Sequence, residues 1–288
     1  MQPLKYRSIF ISDVHLGFRG CQAGYLLDFL QSTQCKHLYL VGDIVDLWAM
    51  QSSVYWPEAH NAVVREVLEK ARNGTQVIYC PGNHDELLRT HLGVDFGNVA
   101  VRDEVIHETA DGQRFLVLHG DRFDTVVQAG PWLARLGARA YDNLLALNGL
   151  VSRVRRYFGL RYWSLAGYLK HKVKNAVSYI GDYEQAVAQE ARRRGVDGMI
   201  CGHIHHAEVR ELGGVRYCNC GDWVESCTAL VEHHDGRLEI LDGLAFNEMV
   251  RQARGLPADH RETEEWPEPV LALRNGNTAA QWKAIFAA

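Results

Sequence analysis

Asp13, His15, Asp43, Asn83, His119, His203 and His205 are the residues of this 288-residue chain on which chemistry can be built. They fall in short polar stretches that read DVH from Asp13, GDIVD from Gly42, GNHD from Gly82, HGD from His119 and GHIH from Gly202. Carboxylate, amide and imidazole form a mixed hard and borderline donor set that needs no thiolate. Such a set suits manganese, iron, zinc or magnesium, and a structural zinc less well. These ligands are too many for one ordinary metal site with open positions, but they match two metals that share a carboxylate. Two divalent cations about 3.5–4 Å apart clamp the attacking and leaving oxygens of a displacement at phosphorus. In Asp13-Val14-His15 and His203-Ile204-His205, residues i and i+2 of an extended segment point the same way, so each pair is expected to reach one pocket. Gly42, Gly82, Gly120 and Gly202 sit beside the ligands, where sharp turns and close backbone approach are needed. A lone Asp-x-His, or a lone His, is more often an ordinary loop or core residue. Five ordered pieces in one chain argue for a single site.

Each piece stands at the end of an apolar run rich in β-branched and aromatic residues: SIFISDVH, HLYLVGDIVD, VIYCPGNHD, FLVLHGD and GMICGHIHH. Runs of this kind read as buried strands that feed polar loops. Leu26, Leu27 and Leu30 share a helical face between the first two, and Ala62, Val63, Glu66, Val67 and Lys70 form an amphipathic run closed by Asn73-Gly74. The resulting βαβαβ order predicts an α/β layered fold with parallel pairing. Beyond Val99, short alternating strands surround turns at Asp111-Gly112 and Gly213-Gly214, and residues 215–243 read as one β meander with an Asp235-Gly236 hairpin in a second sheet.

Between Asp124 and about Gly195 the pattern is helical without a strand candidate, so residues 125–195 are expected to form a helical cap inserted into a core of 1–124 and 196–245. Residues 246–288 are expected to form a C-terminal arm with an acidic, Pro-containing stretch. Within the insertion, residues 151–174 carry Arg153, Arg155, Arg156, Arg161, Lys170, Lys172 and Lys174 among Tyr157, Phe158, Tyr162, Trp163 and Tyr168, with no acid. A solvated helix face explains such a run. An amphipathic surface for anionic lipid or an acidic ligand explains it equally well.

The net charge of -4 gives no overall attraction to nucleic acid or to anionic membrane, so either partner must be met by a local patch. Seven cysteines, an odd number without paired CxxC motifs, fit reduced thiols better than a disulfide framework. The N-terminal apolar run before Asp13 is too short for a signal peptide. No stretch reaches the roughly 18 apolar residues of a membrane span. A cytoplasmic location is expected, with a peripheral position on the inner face of the cytoplasmic membrane if the basic run meets lipid.

The ordered set DVH, GDIVD, GNHD, HGD and GHIH resembles the calcineurin-like metallophosphoesterase signature over roughly residues 8–243. The resemblance implies a four-layer αββα sandwich with a dinuclear centre at the edge of the paired sheets. It implies that Asp13, His15, Asp43 and His205 hold one metal, and that Asp43, Asn83, His119 and His203 hold the other. Manganese is the expected metal, with iron, zinc or magnesium as alternatives. His84 would act at the leaving oxygen as proton donor or charge stabiliser, and Asp46 and Asp85 would orient the ligands.

DVHLG, GDIVDLW, GNHDELLR and the helical insertion together look like the UDP-2,3-diacylglucosamine pyrophosphatase branch, which implies a nucleotide diphosphate lipid substrate in lipid A synthesis. In that reading Asn83, Asp124, Arg153, Arg156, Lys170 and Lys174 meet the substrate. In the best known members an arginine stands where this chain has His84, and Arg-Pro follows the last histidine pair in place of His206-Ala207. The alternatives are action on another phosphomonoester or phosphodiester, including nucleic acid or a cyclic nucleotide, and a non-catalytic scaffold. With its basic residues in a helical cap instead of a long groove, nucleic acid is the less expected partner.

Overall fold

The computed structural model describes residues 3–125 and 174–253. Twelve strands are assigned there, and the helices used below are α1 (Ala23–Gln31), α2 (Leu47–Ser52), α3 (Glu58–Arg72), α4 (Lys174–Arg194) and α5 (Gly243–Ala253). Strands β1 (Leu4–Ile11), β2 (Thr33–Val41), β3 (Gln76–Cys80) and β5 (Val99–Val101) pair in parallel at the centre of a seven-stranded sheet of order β12-β11-β1-β2-β3-β5-β4. Its edges are antiparallel, with β4 at Asp95–Phe96, β11 at Thr228–Glu232 and β12 at Leu238–Asp242. The second sheet has five strands in the order β6-β7-β8-β10-β9, where β7 (Arg114–Val117), β8 (Gly198–Cys201) and β10 (Val215–Asn219) run parallel. β6 (Val105–Glu108) and β9 (Glu208–Leu212) close it as antiparallel edges.

The period-2 alternation of strand side chains sorts the core into three interfaces. Ile9, Ile11, Leu38, Leu40, Ala229 and Val231 face outward from the first sheet onto Leu26, Phe29 and Leu30 of α1, Val63 of α3, and Phe246 and Val250 of α5. Their alternates Phe10, Tyr39, Val41 and Leu230 meet Phe115, Val117, Ile200 and Cys218 of the second sheet in the middle interface. Leu116, Met199, Cys201 and Tyr217 then face the other way, onto Tyr183, Val187, Ala188 and Ala191 of α4. Helix, sheet, sheet and helix are therefore stacked in the expected αββα order.

Three boundaries differ from the sequence reading. α4 falls within the expected insertion, 125–195, yet it forms the outer helical layer of the second sheet. Its buried Tyr183 and Val187 are each fully withdrawn from solvent, a burial that stabilises by about 1.5–3 kcal/mol per large apolar side chain. The remainder of the insertion, 126–173, lies outside the described residues, as does the arm beyond 253. α5 carries the core past residue 245, because Phe246 and Val250 complete the apolar layer against α1. Residues 215–243 do not form one meander: β10 stays in the second sheet, while β11 and β12 cross to the first. Alternating strands look alike whichever sheet they join, and the crossing is made by a loop tied through Trp223 N–H to Asp13 O at 3.0 Å. The hairpin at Asp235-Gly236 is formed as read, with Gly236 N–H donating to His233 O at 3.1 Å. No helix of the described residues is long and apolar enough to cross a membrane.

Candidate metal centre

The five polar stretches follow β1, β2, β3, β7 and β8, at the carboxyl ends of parallel strands, which is where open α/β sheets gather their functional groups. Parallel pairing of β1 with β2 continues past the strands: Asp13 N–H donates to Gly42 O at 3.0 Å and His15 N–H to Asp43 O at 2.9 Å. The same edge of the second sheet is joined by Gly202 N–H to His119 O at 3.0 Å. A further bond spans the two sheets, from His203 N–H to Asp13 Oδ2 at 2.9 Å.

The paired side chains do meet, but not on extended backbone. Asp13, His15, Asp43, His203 and His205 have φ of 52°, 55°, 53°, 69° and 52°, and Cys227 is the other described non-glycine residue with positive φ. Residues without glycine's freedom adopt this region at a cost of about 1–3 kcal/mol each, so the surrounding structure must over-determine them. The left-handed residues at i and i+2 turn the chain and bring both side chains of each pair inward. Gly42 and Gly82 make room for this crowding. A Cβ on Gly42 would lie 2.2 Å from His119 Nδ1, and one on Gly82 would lie 2.2 Å from Asp43 Oδ1.

Three groups of donors result among the described residues: His15 with Asp46 and His84 and, nearer Asp43, Asp13 with His15 and His205 and Asp43 itself with His119 and His203. Asp43 lies between the latter two: its Oδ2 is 3.4 Å from His119 Nε2 and 4.0 Å from His15 Nε2. Asp13, Asp43 and His119 are almost fully withdrawn from solvent. His15 Nε2, His119 Nε2 and Asn83 Oδ1 are buried and form no hydrogen bond. Buried donors and acceptors are normally satisfied. Atoms left over beside carboxylates are what a bound divalent cation would engage, and the residues present fit such ions.

The electrostatics agree with this fit. Burial pushes the Asp43 carboxyl up, but the charges of His119, His15 and His84 beside it outweigh burial and hold it well below the usual range. Burial likewise opposes ionisation of Asp13, which its neighbours His205 and His119 nevertheless bring to about 2. Burial alone would lower His15, yet the hydrogen bond to Asp46 and the charges of Asp43 and Asp13 raise it to about 9. Carboxylates crowded into a buried pocket thus favour positive charge beside them, which a divalent cation held by neutral imidazoles would supply.

The ring nitrogens turned away from the pocket have partners. His15 Nδ1 is 3.1 Å from Asp46 Oδ2, His119 Nδ1 is 3.0 Å from Val41 O, and His203 Nε2 is 2.9 Å from both Asp124 oxygens. Such outer contacts fix ring orientation and tautomer. Asp46 also caps α2, accepting from Ala49 N–H at 2.7 Å, and its Oδ1 is 2.9 Å from His84 Nδ1. The His84 ring packs on the Trp48 indole, centroids 4.5 Å apart, and edge-on against His15 at 4.6 Å. Asp85 accepts from Ile44 N–H at 2.8 Å, Gly82 N–H at 2.6 Å and the Tyr79 hydroxyl at 2.5 Å, locking the loop that carries Asn83.

Of the residues expected to meet substrate, Asn83 precedes His84, whose N–H donates to Asp43 Oδ1 at 2.8 Å, and Lys174 opens α4, while Arg153, Arg156 and Lys170 lie outside the described residues. Asp124 is engaged by His203 and by the Tyr179 hydroxyl at 2.5 Å. The sequence reading missed Tyr79, Tyr179 and Asn219, whose Nδ2 donates to Gly202 O at 2.7 Å beneath the last histidine pair. None is marked by local spacing: Tyr179 and Asn219 come from a helix and a strand distant in sequence, and Tyr79 lies within the apolar run of β3, six residues before its partner Asp85.

A family model described as calcineurin-like phosphoesterase matches residues 6–207 of the chain. The UDP-2,3-diacylglucosamine hydrolase of Neisseria meningitidis serogroup B is 28% identical over 220 residues, covering 74% of this chain and 88% of that protein. The UDP-2,3-diacylglucosamine hydrolase of Edwardsiella ictaluri is 29% identical over 214 residues, covering 71% and 78%. Among solved structures, zinc-bound Vps29 from Entamoeba histolytica is similar with a TM-score of 0.39 and 14% identity, covering 82% of this chain and 98% of that one.

Proposed function

The chain belongs to the calcineurin-like phosphoesterase family and is a metal-dependent hydrolase; on that premise we propose that it is a dinuclear phosphohydrolase whose substrate is UDP-2,3-diacylglucosamine or a similar nucleotide diphosphate lipid. The observation that carries the two-cation reading is Asp43 Oδ2 standing between the Nε2 atoms of His15 and His119. Asp13, His15, Asp43 and His205 hold one cation, and Asp43, Asn83, His119 and His203 hold the other. Manganese suits this oxygen and imidazole set. Bound there, divalent cations supply Lewis-acid charge for a displacement at phosphorus.

The protein's own groups do the rest. His84, fixed by Asp46 at Nδ1 and by Trp48 at its face, keeps Nε2 for the leaving oxygen, to give it a proton or to stabilise charge on the phosphoryl group. Asn83 joins substrate to centre. The basic and aromatic run from Arg153 to Lys174 suits a diphosphate and acyl chains, and it gives the protein a peripheral hold on anionic membrane. The lipid substrate is supported by the two hydrolases to which the chain is similar. His84, where the best known members of that branch carry arginine, favours a second reading in which the same centre cleaves a different phosphomonoester or phosphodiester.

Manganese-loaded protein incubated with UDP-2,3-diacylglucosamine, and separately with a soluble aryl phosphoester, separates these readings by phosphorus NMR of the products. Release of UMP and a lipid phosphate is expected. Turnover of the aryl ester alone moves the substrate elsewhere, and turnover of neither contradicts phosphohydrolysis itself.

A further inference from the structure

Asn83 and His119 approach the centre on loops from different sheets, one after β3 and the other after β7. Arg89, in the 3-10 turn Glu86–His91, joins these loops. One of its terminal nitrogens donates to Pro81 O at 3.1 Å, two residues before Asn83, and to Asp121 Oδ1 and Oδ2 at 2.8 and 2.9 Å, two residues after His119. Its Nε stands 3.5 Å from Asp103 Oδ1, and the Asp121 side chain is only 14% exposed. A charge-assisted bond of this kind, made by a planar group to one loop's carboxylate and the other's carbonyl, fixes distance and angle together.

Asp13, His15 and His205 are held by other means. Asp13 and His15 are bonded to the loop after β2, and His205 Nε2 is 3.1 Å from Asp13 Oδ1. None of these contacts passes through Arg89. We infer that Arg89 is a positioning residue that sets the affinity of one cation position, the one built on Asn83 and His119, and leaves the other unaffected. The inference rests on the two-cation reading above. It adds an asymmetry between the two positions that their ligands alone do not contain.

Manganese titration of the full chain, followed by calorimetry and by electron paramagnetic resonance, tests this. Wild-type protein should bind two ions and show an exchange-coupled signal; fewer than two would overturn the two-cation reading itself. Arg89→Ala should keep the tighter or looser constant belonging to the Asp13, His15 and His205 position and weaken the other by about 10-fold or more, the range seen when an outer contact of a ligand is lost. At limiting manganese the coupled signal should give way to that of an isolated ion. Arg89→Lys, which keeps the charge but not the planar fork, should fall between. Arg102→Ala, which removes an exposed pair with Asp95, should bind both ions as wild type does. Two unchanged constants in Arg89→Ala, or two constants weakened equally, would overturn the inference. If Arg89→Ala does not fold, Arg89→Lys and Asp121→Asn carry the same comparison of constants.

Discussion

Two buried clusters of carboxylate and histidine lie on the sheets of this protein, and they differ in whether their polar atoms are satisfied. Between the sheets, away from the loops that carry Asp13, Asp43 and His119, Glu232 accepts from Ser8 Oγ at 2.7 Å, Ala110 N–H at 2.8 Å and Arg7 at 2.6 Å, and lies 2.9 Å from His107 Nε2. His107 Nδ1 is 2.9 Å from the Tyr39 hydroxyl, so both ring nitrogens have partners. The cluster around Asp43 likewise sets buried carboxylate beside histidine, yet His15 Nε2, His119 Nε2 and Asn83 Oδ1 form no hydrogen bond. A satisfied buried network joins the two sheets and has no vacancy to offer a ligand. An unsatisfied one, shaped by left-handed backbone, leaves donor atoms that the proposed cations would engage. Residue composition does not separate them; the count of unmet atoms does.

Substitutions on either side should break that contrast in opposite ways. Asp43→Ala removes the oxygen between the two groups of imidazoles and should lower kcat by about 10³-fold, the equivalent of several kcal/mol of lost charge stabilisation. It should also release bound metal, and full activity on an aryl phosphoester would contradict the shared-ligand assignment. Glu232→Ala should instead cost about 3 kcal/mol of stability by stranding its buried partners, while metal stoichiometry stays at the wild-type value. Urea denaturation and metal analysis on the same sample decide this.

The pH dependence follows from the same carboxyl. Burial alone would raise Glu232, but hydrogen bonds from His107, Ser8 and Ala110 N–H outweigh it and bring it from an ordinary 4.5 to about 2. A depressed pKa stabilises the folded state above the unfolded value and loses that contribution as pH falls through the folded one. The stability gap between wild type and Glu232→Ala should therefore be constant above about pH 5 and shrink between pH 4.5 and 2. A gap that widens on acidification would show the sign to be wrong.

Smaller effects are expected further from the ligands. Asp124→Ala should weaken manganese binding about 10–100-fold by freeing the His203 ring, with little change in urea midpoint. An unchanged metal constant would return Asp124 to the role of a substrate contact alone. Replacing Arg153, Arg155 and Arg156 together should reduce co-sedimentation with anionic liposomes and leave aryl phosphoester hydrolysis intact. Unchanged sedimentation would make that run an ordinary solvated face.

Much of the fold and of the candidate site is legible in the sequence, the Glu232 cluster is not, and the illegible part has a physical cause. Strands such as SIFIS and HLYLV announced themselves because alternate residues face two different apolar layers. The proposed ligands are legible because each follows such a strand with a glycine nearby. The left-handed backbone at Asp13, His15, His203 and His205 was not legible, since nothing in Asp-x-His or His-x-His distinguishes it from an extended pair. Tyr179 and Asn219 are invisible for a different reason: they reach the centre through tertiary contacts, and a single sequence carries no sign of those, while Tyr79 reads as one more apolar-run residue of β3 although its hydroxyl bonds to Asp85. α4 was read as insertion because a helix that packs on a sheet and a helix that caps a pocket share one amphipathic pattern.

The most direct test of the account is anomalous diffraction from crystals of the full chain grown with manganese. Two peaks are expected, one on each side of Asp43 Oδ2, with His15 and His205 beside the first and Asn83, His119 and His203 beside the second. One peak in place of two, or ions bound away from Asp43, would contradict it.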